Sequence, residues 1–160
     1  MKKEEQSIAL GARQHTVTLP NGLRIVCEER PADVLYCGYI VKAGTRHEED
    51  ADSGLAHFLE HLSFKGTARR RSWQITNGLE RVGGDLNAFT NKQETAFTAI
   101  VLREDFTRAA DLLTDIVFRS AYPQKEMDRE VEVVCDEIDS YRDQPGDLIF
   151  DEFEAMLFRG

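Results

Sequence analysis

No stretch of the 160 residues is apolar over the length a bilayer crossing needs, so no membrane partner is expected. No segment repeats and none is of low complexity, which removes solenoids and fibrous arrays. Cysteine is scarce: Cys27, Cys37 and Cys135 are scattered, with no C-x-x-C pair among them. An odd number in apolar settings argues against a disulfide framework and suits reduced core thiols. Positive charge is short as well, 20 Lys and Arg against 29 Asp and Glu, a formal net charge of −9. That balance argues against nucleic acid as a partner and shows no basic patch for a membrane surface. The N-terminus, Met1 to Gln6, has no apolar run behind it and reads as neither a signal nor a transit peptide. A reducing cytoplasm is the expected location, unless a leader has been removed. What remains is 41% hydrophobic and 31% charged, the composition of an ordinary globular chain long enough for a domain with a core.

The first third reads as strands. His15 to Leu19 alternates and runs into Pro20-Asn21-Gly22, a hairpin signal, with Leu23 to Glu28 as the return strand. Val34 to Lys42 is a third strand, and polar residues 43–52 lead into an apolar segment. Beyond it come a basic loop with Arg69, Arg70 and Arg71, read as solvated, and a helix over Ser72 to Val82 with Ser72 as its cap, stopped by Gly83-Gly84. Asp85 to Thr90 and Thr95 to Leu102 are strands around the turn 91–94. Glu104 to Ser120 is an amphipathic helix with Phe106, Ala109, Ala110, Leu113, Ile116 and Val117 at helical spacing. Gln124 to about Tyr141 is another helix, broken by Pro145-Gly146, and Asp147 to Phe158 is the last. Strands, hairpins and helices in this order predict an α+β fold, a mostly antiparallel sheet packed against helices.

Chemistry concentrates in Ser53-Gly54-Leu55-Ala56-His57-Phe58-Leu59-Glu60-His61-Leu62-Ser63-Phe64. Ser53 is a candidate N-cap, so the segment opens a helix. Positions four apart share a helix face, so His57 and His61 aim their imidazoles at one spot. That suits two nitrogen ligands on a tetrahedral Zn²⁺. Glu60 is three residues past His57, near the same face. It can reach a water at the metal without being a ligand, take its proton and return it to a leaving amine. The pattern is H-x-x-E-H, the inverse of the commoner H-E-x-x-H zinc-peptidase helix. The apolar flanks predict a helix buried nearly all round, where two histidines and a glutamate without partners would be costly.

A catalytic zinc takes a third protein ligand. The helix from Gln124 is rich in acids. On a wheel of about 100° per residue, Asp128, Glu132, Asp136 and Asp139 fall on the solvated side. Glu130 and Glu137 fall beside the apolar stripe of Met127, Val131, Val134, Ile138 and Tyr141. One could ligate the metal while the other orients a histidine; the wheel alone does not rank them.

Three blocks resemble the catalytic half of the pitrilysin, insulin-degrading enzyme and mitochondrial processing peptidase family. They are 54–61 followed by Phe64-Lys65-Gly66-Thr67; Gly83-Gly84-Asp85-Leu86-Asn87-Ala88-Phe89-Thr90 with Glu94-Thr95; and Glu130-Val131-Glu132-Val133-Val134-Cys135-Asp136-Glu137. The resemblance implies a zinc metalloendopeptidase of processing-peptidase-like fold. It maps the third Zn²⁺ ligand onto Glu137, beside His57 and His61, and a supporting acid onto Glu130, beside the catalytic Glu60. It also implies that a peptide substrate, including unfolded or presequence-like segments, pairs along the edge strand at Asn87, Ala88 and Phe89. Without the resemblance this stretch reads as a plain strand, and Phe58, Phe64 and Phe89 read as core.

Proteins of this kind have a longer catalytic domain followed by a second, similarly folded one that closes over the site. Residues 1–160 are therefore expected to be the N-terminal part of a C-terminally truncated catalytic domain. A second homologous domain, a partner chain or a homo-oligomer would complete it. Alone, this stretch is expected to be inactive on peptides and to self-associate. The alternatives are a non-catalytic scaffold or partner-binding subunit of the same fold, and a structural zinc site. The latter would need a fourth ligand, for which only His15 and His47, both read as surface residues, are candidates.

Overall fold

The computed structural model describes residues 3–7 and 13–158. Met1, Lys2 and Gly160, on which the reading of the chain ends partly rests, lie outside them. The described residues form two compact units, divided between Val34 and Leu35.

The first unit is an antiparallel sheet of β1 (Lys3–Ser7), β2 (Arg13–Thr18) and β3 (Arg24–Glu29), in that order. The expected hairpin joins β2 to β3, with Thr18 opposite Arg24. Leu19 N–H donates to Leu23 O at 2.8 Å and Gly22 N–H to Leu19 O at 3.0 Å, while Asn21 Oδ1 accepts Leu23 N–H. β3 is exposed along its length, so Cys27 is not a core thiol.

The second unit has a three-stranded sheet in the order β4 (Val34–Val41), β6 (Thr95–Leu102), β5 (Asp85–Thr90). β5 and β6 pair antiparallel from Asp85 opposite Ile100 to Thr90 opposite Thr95. Central β6 is the most buried strand. Helix α3 (Phe106–Phe118) lies on it, and α2 (Ser72–Glu80) packs on α3. The core is Ile75 and Leu79 of α2, Phe97, Ala99 and Val101 of β6, and Ala109, Leu112, Leu113 and Ile116 of α3. The fold is α+β with antiparallel pairing, as the pattern predicts.

The helix ends differ from expectation. Ser72 is the first helical residue of α2, not its cap; the cap is Arg71, whose N–H is taken by Gln74 Oε1 at 2.9 Å. The Ser72 hydroxyl instead donates to Phe64 O. The far end of α2 is as read: Gly83, at φ 73°, closes it while Gly84 N–H reaches Leu79 O and Gly83 N–H reaches Glu80 O. That double bond pattern around a left-handed residue is a Schellman motif. Pro145 does not merely break a helix; after α4 (Gln124–Arg142) it opens α5 (Pro145–Phe158), since proline costs nothing at a first turn where N–H groups have no helical partner. Cys135 is exposed on α4, a second departure from core thiols. Among the described residues no helix is long and apolar enough to cross a membrane.

Candidate metal centre

Helix α1 (Leu55–Ser63) carries the two histidines. Its N-cap is Gly54, at φ 93°, and not Ser53. The start is secured from farther away: the Glu48 carboxylate accepts Gly54 N–H at 2.8 Å and Ala56 N–H at 2.6 Å. A carboxylate there satisfies two orphan donors and complements the helix dipole. α1 rests on α4 and on β5. It is not buried all round: Leu62 is buried, but Leu55 is 44% and Leu59 38% exposed. They stand four apart in the helix, on one face.

His57 and His61 meet at their Nε2 atoms, 3.1 Å apart, with the rings nearly perpendicular. Glu137 of α4 brings Oε2 to 3.3 Å from His61 Nε2 and Oε1 to 3.8 Å from His57 Nε2. The three donor atoms all lie within 4.8 Å of one another, the one such group of His, Cys, Asp and Glu among the described residues. Ligands about 2.0–2.1 Å from a tetrahedral zinc stand roughly 3.3 Å apart, so the donor set fits that ion. The face stays open, with the Glu137 side chain 55% exposed.

Glu130 stands seven residues earlier and behaves differently. It is buried, with Oε1 3.0 Å from His61 Nδ1 and Oε2 2.6 Å from Lys65 Nζ. Burial pushes its carboxyl up, but the hydrogen bonds and charges of Lys65 and His61 outweigh that and hold it below the usual carboxylate range. An ionised Glu130 accepts Nδ1–H from His61, which leaves the lone pair of Nε2 turned toward His57 and Glu137. Both acids lie on the apolar side of the wheel, yet only Glu130 is buried. Lys65, just past the end of α1, is its counter-ion.

Glu60 is half-buried, and its Oε2 accepts the Thr90 hydroxyl at 2.6 Å. Thr90 ends β5, the outer strand of the sheet beside α1. Along β5, Asn87 and Phe89 face solvent while Leu86, Ala88 and Thr90 are half-buried. Phe89, 49% exposed, is therefore not core. Asn87 Oδ1 accepts the N–H of its neighbour Ala88 at 2.8 Å, so the side chain already engages backbone at the strand edge. The arginine loop is also less solvated than expected. Arg70 pairs with Asp111 and with buried Asp115 of α3, and Arg69 with Asp111.

Two grooves accompany this arrangement. One of about 350 Å³ runs between α1 and α4, lined by Leu55, Phe58, Val131, Val134 and Ile138. The other, about 330 Å³, lies between α2 and α3 and shares no residue with the metal donors.

A helix of H-x-x-E-H spacing, a downstream carboxylate closing its histidine pair and a neighbouring edge strand thus stand together in one place. The sequence profile described as Insulinase (Peptidase family M16) matches residues 24–160, and the chain belongs to that family. It is 40% identical over 135 residues to the zinc protease YmxG of Bacillus subtilis, covering 84% of this chain and 33% of that one. Against a zinc protease of Mycobacterium leprae it is 41% identical over 157 residues, 98% of this chain and 35% of the other. Against the mitochondrial-processing peptidase subunit beta of Dictyostelium discoideum it is 36% identical over 144 residues, 89% and 31%. The crystal structure of a protease from Helicobacter pylori superposes with a TM-score of 0.83 at 26% identity, over 87% of this chain and 34% of that one. The chain spans about a third of the length of these relatives.

Proposed function

We propose that this chain carries the catalytic centre of a zinc-dependent endopeptidase acting on extended peptides, unfolded or presequence-like segments among them. The observation that carries this is the division of labour around α1. His57, His61 and Glu137 converge with donor spacings that suit one zinc, while Glu60 stands apart from them, hydrogen-bonded to Thr90. The names of the relatives, zinc protease and processing-peptidase subunit, support both metal and reaction.

In this reading His57, His61 and Glu137 hold the ion. Zn²⁺ there supplies a Lewis acid that lowers the pKa of the attacking water and polarises the scissile carbonyl. Glu60, with one carboxylate oxygen on Thr90, keeps the other for the proton of that water and then delivers it to the leaving amine. Glu130 fixes the tautomer and orientation of His61 through Nδ1. The edge of β5, which pairs with no further strand among the described residues, offers backbone groups to which a peptide adds as a further strand, a mode that reads shape and backbone more than side chains. A strand taking Ala88 N–H displaces Asn87 Oδ1, which frees the Asn87 amide to hold the incoming peptide. A second homologous domain or partner chain supplies the opposite wall, in line with the subunit names of some relatives.

A non-catalytic subunit of the same fold is the rival, and a relative from Euglena gracilis is named as core protein I of the ubiquinol-cytochrome-c reductase complex. The complete donor set and the separate Glu60 favour the peptidase. The test is Glu60→Gln in the full-length gene product. Zinc should stay near one per chain while turnover of an unfolded peptide substrate falls about 10²–10⁴-fold. Loss of zinc would make Glu60 a ligand; unchanged turnover would hand the proton to another group.

A further inference from the structure

We infer that Thr90 is a positioning residue for Glu60, and that through it the strand proposed to receive the peptide also sets where the base points. The inference rests on the peptidase reading above. Glu60 has three side-chain torsions and, among the described residues, its hydrogen bond is the one from Thr90 Oγ1, at 2.6 Å. A free glutamate samples many rotamers, and holding it in one costs side-chain entropy. A group that proton transfer needs in one place must have that cost met before substrate arrives.

The donor is well anchored. Thr90 is β-branched and stiff at χ1, and it is the last paired residue of β5, opposite Thr95. Thr95 is buried, and its hydroxyl donates to Ala43 O at 2.9 Å. Its only proton is thus committed, and it turns lone pairs toward Thr90 Oγ1, 3.3 Å away. The Thr90 proton has two acceptors within reach, and the carboxylate is both the closer and the charged one, so the hydroxyl is directed at Glu60. The turn behind this pair is fixed in turn: Asn91 Oδ1 accepts the N–H groups of Gln93 and Glu94 at 2.8 and 2.9 Å, and Asn91 O accepts Thr45 N–H at 3.1 Å.

The pleat of β5 supplies the second half. Leu86, Ala88 and Thr90 alternate with outward-facing Asn87 and Phe89. A peptide paired on the free edge takes its register from that pleat, because a one-residue slip would reverse every side chain. The strand that indexes the peptide therefore also holds the base, two residues from the Ala88 step.

Thr90→Val keeps the shape and removes the hydroxyl; Thr90→Ser keeps the hydroxyl and removes the methyl. In the full-length gene product, T90V should retain its zinc and melt near the parent, with kcat down about 10–100-fold and KM little changed, a loss typical of a misplaced group. T90S should recover most of kcat. In an E60Q background T90V should add almost nothing, since the two act as a unit. Parental kcat in T90V, equal losses in T90V and T90S, or additive losses with E60Q would overturn the inference. So would loss of zinc or fold in T90V, because the hydroxyl would then serve the scaffold. If E60Q alone left turnover intact, Glu60 would not be the base and that assignment would fail instead, which separates the two.

Discussion

Replacing Asp115 with alanine should cost about 3 kcal/mol, and the figure follows from what its carboxylate holds. Asp115 is fully buried on α3. Its Oδ2 accepts the Thr67 hydroxyl at 2.7 Å and Arg70 Nη1 at 2.5 Å, and Thr67 Oγ1 in turn accepts Arg69 and Arg70 N–H. The loop that follows α1 is thus tied at Thr67 and Arg70 to the Asp115 carboxylate. Hydrogen bonds to charged groups contribute about 1.5–3 kcal/mol each, and breaking a buried pair costs about 3–5 kcal/mol. Arg70 retains Asp111 and is partly solvated, which puts the expectation at the lower end. In urea, with a slope of about 1–3 kcal/mol per molar, the midpoint should fall by about 1–3 M. Acid supplies a second check. Burial pushes the Asp115 carboxyl up, yet the Thr67 hydroxyl and the Arg70 and Arg69 guanidiniums prevail and hold it below its ordinary value. With the folded pKa depressed, the unfolded chain binds the proton first. The contribution is complete above the ordinary carboxylate pKa of about 3.9 and is lost as pH falls through the folded value. The gap between parent and D115A should therefore hold from neutral pH to about 5 and close below about 4. A gap under about 1 kcal/mol at neutral pH, or one that widens in acid, would refute the reasoning.

Other outcomes follow from the same contacts. His61→Ala in the full-length gene product should take zinc from about one per chain to near none, read by elemental analysis after desalting. Glu130→Gln should still load zinc but hold it about 10–100-fold more weakly in a chelator competition, since His61 loses the carboxylate that fixes its tautomer; unchanged affinity would leave Glu130 with no orienting role. Gly83→Ala should cost about 1–2 kcal/mol from the left-handed backbone alone. A Cβ there meets no atom within 4 Å, so a much larger loss would point to a contact other than backbone conformation.

How far the site could be read in advance depends on which signals are local. Histidines four apart on one helix, an Asn-Gly turn and the β5–β6 hairpin are periodic or adjacent features, and each stands where the residues put it. The missing pieces are contacts between distant positions. Glu48 reaches the start of α1 over 6 and 8 residues, Thr90 reaches Glu60 over 30, and Glu130 reaches His61 over 69. No periodicity encodes those. Glu130 and Glu137 make the point most sharply. Seven residues apart, they differ by only about 20° on the wheel, so angle cannot separate them. They differ in height: seven residues rise about 10.5 Å along a helix. At one level the chain covers Glu130 and sets it against His61 Nδ1 and Lys65. At the other, Glu137 is half open and faces both Nε2 atoms. The same stripe of one helix therefore yields an orienting acid and a candidate ligand, and where α1 crosses α4 decides which is which.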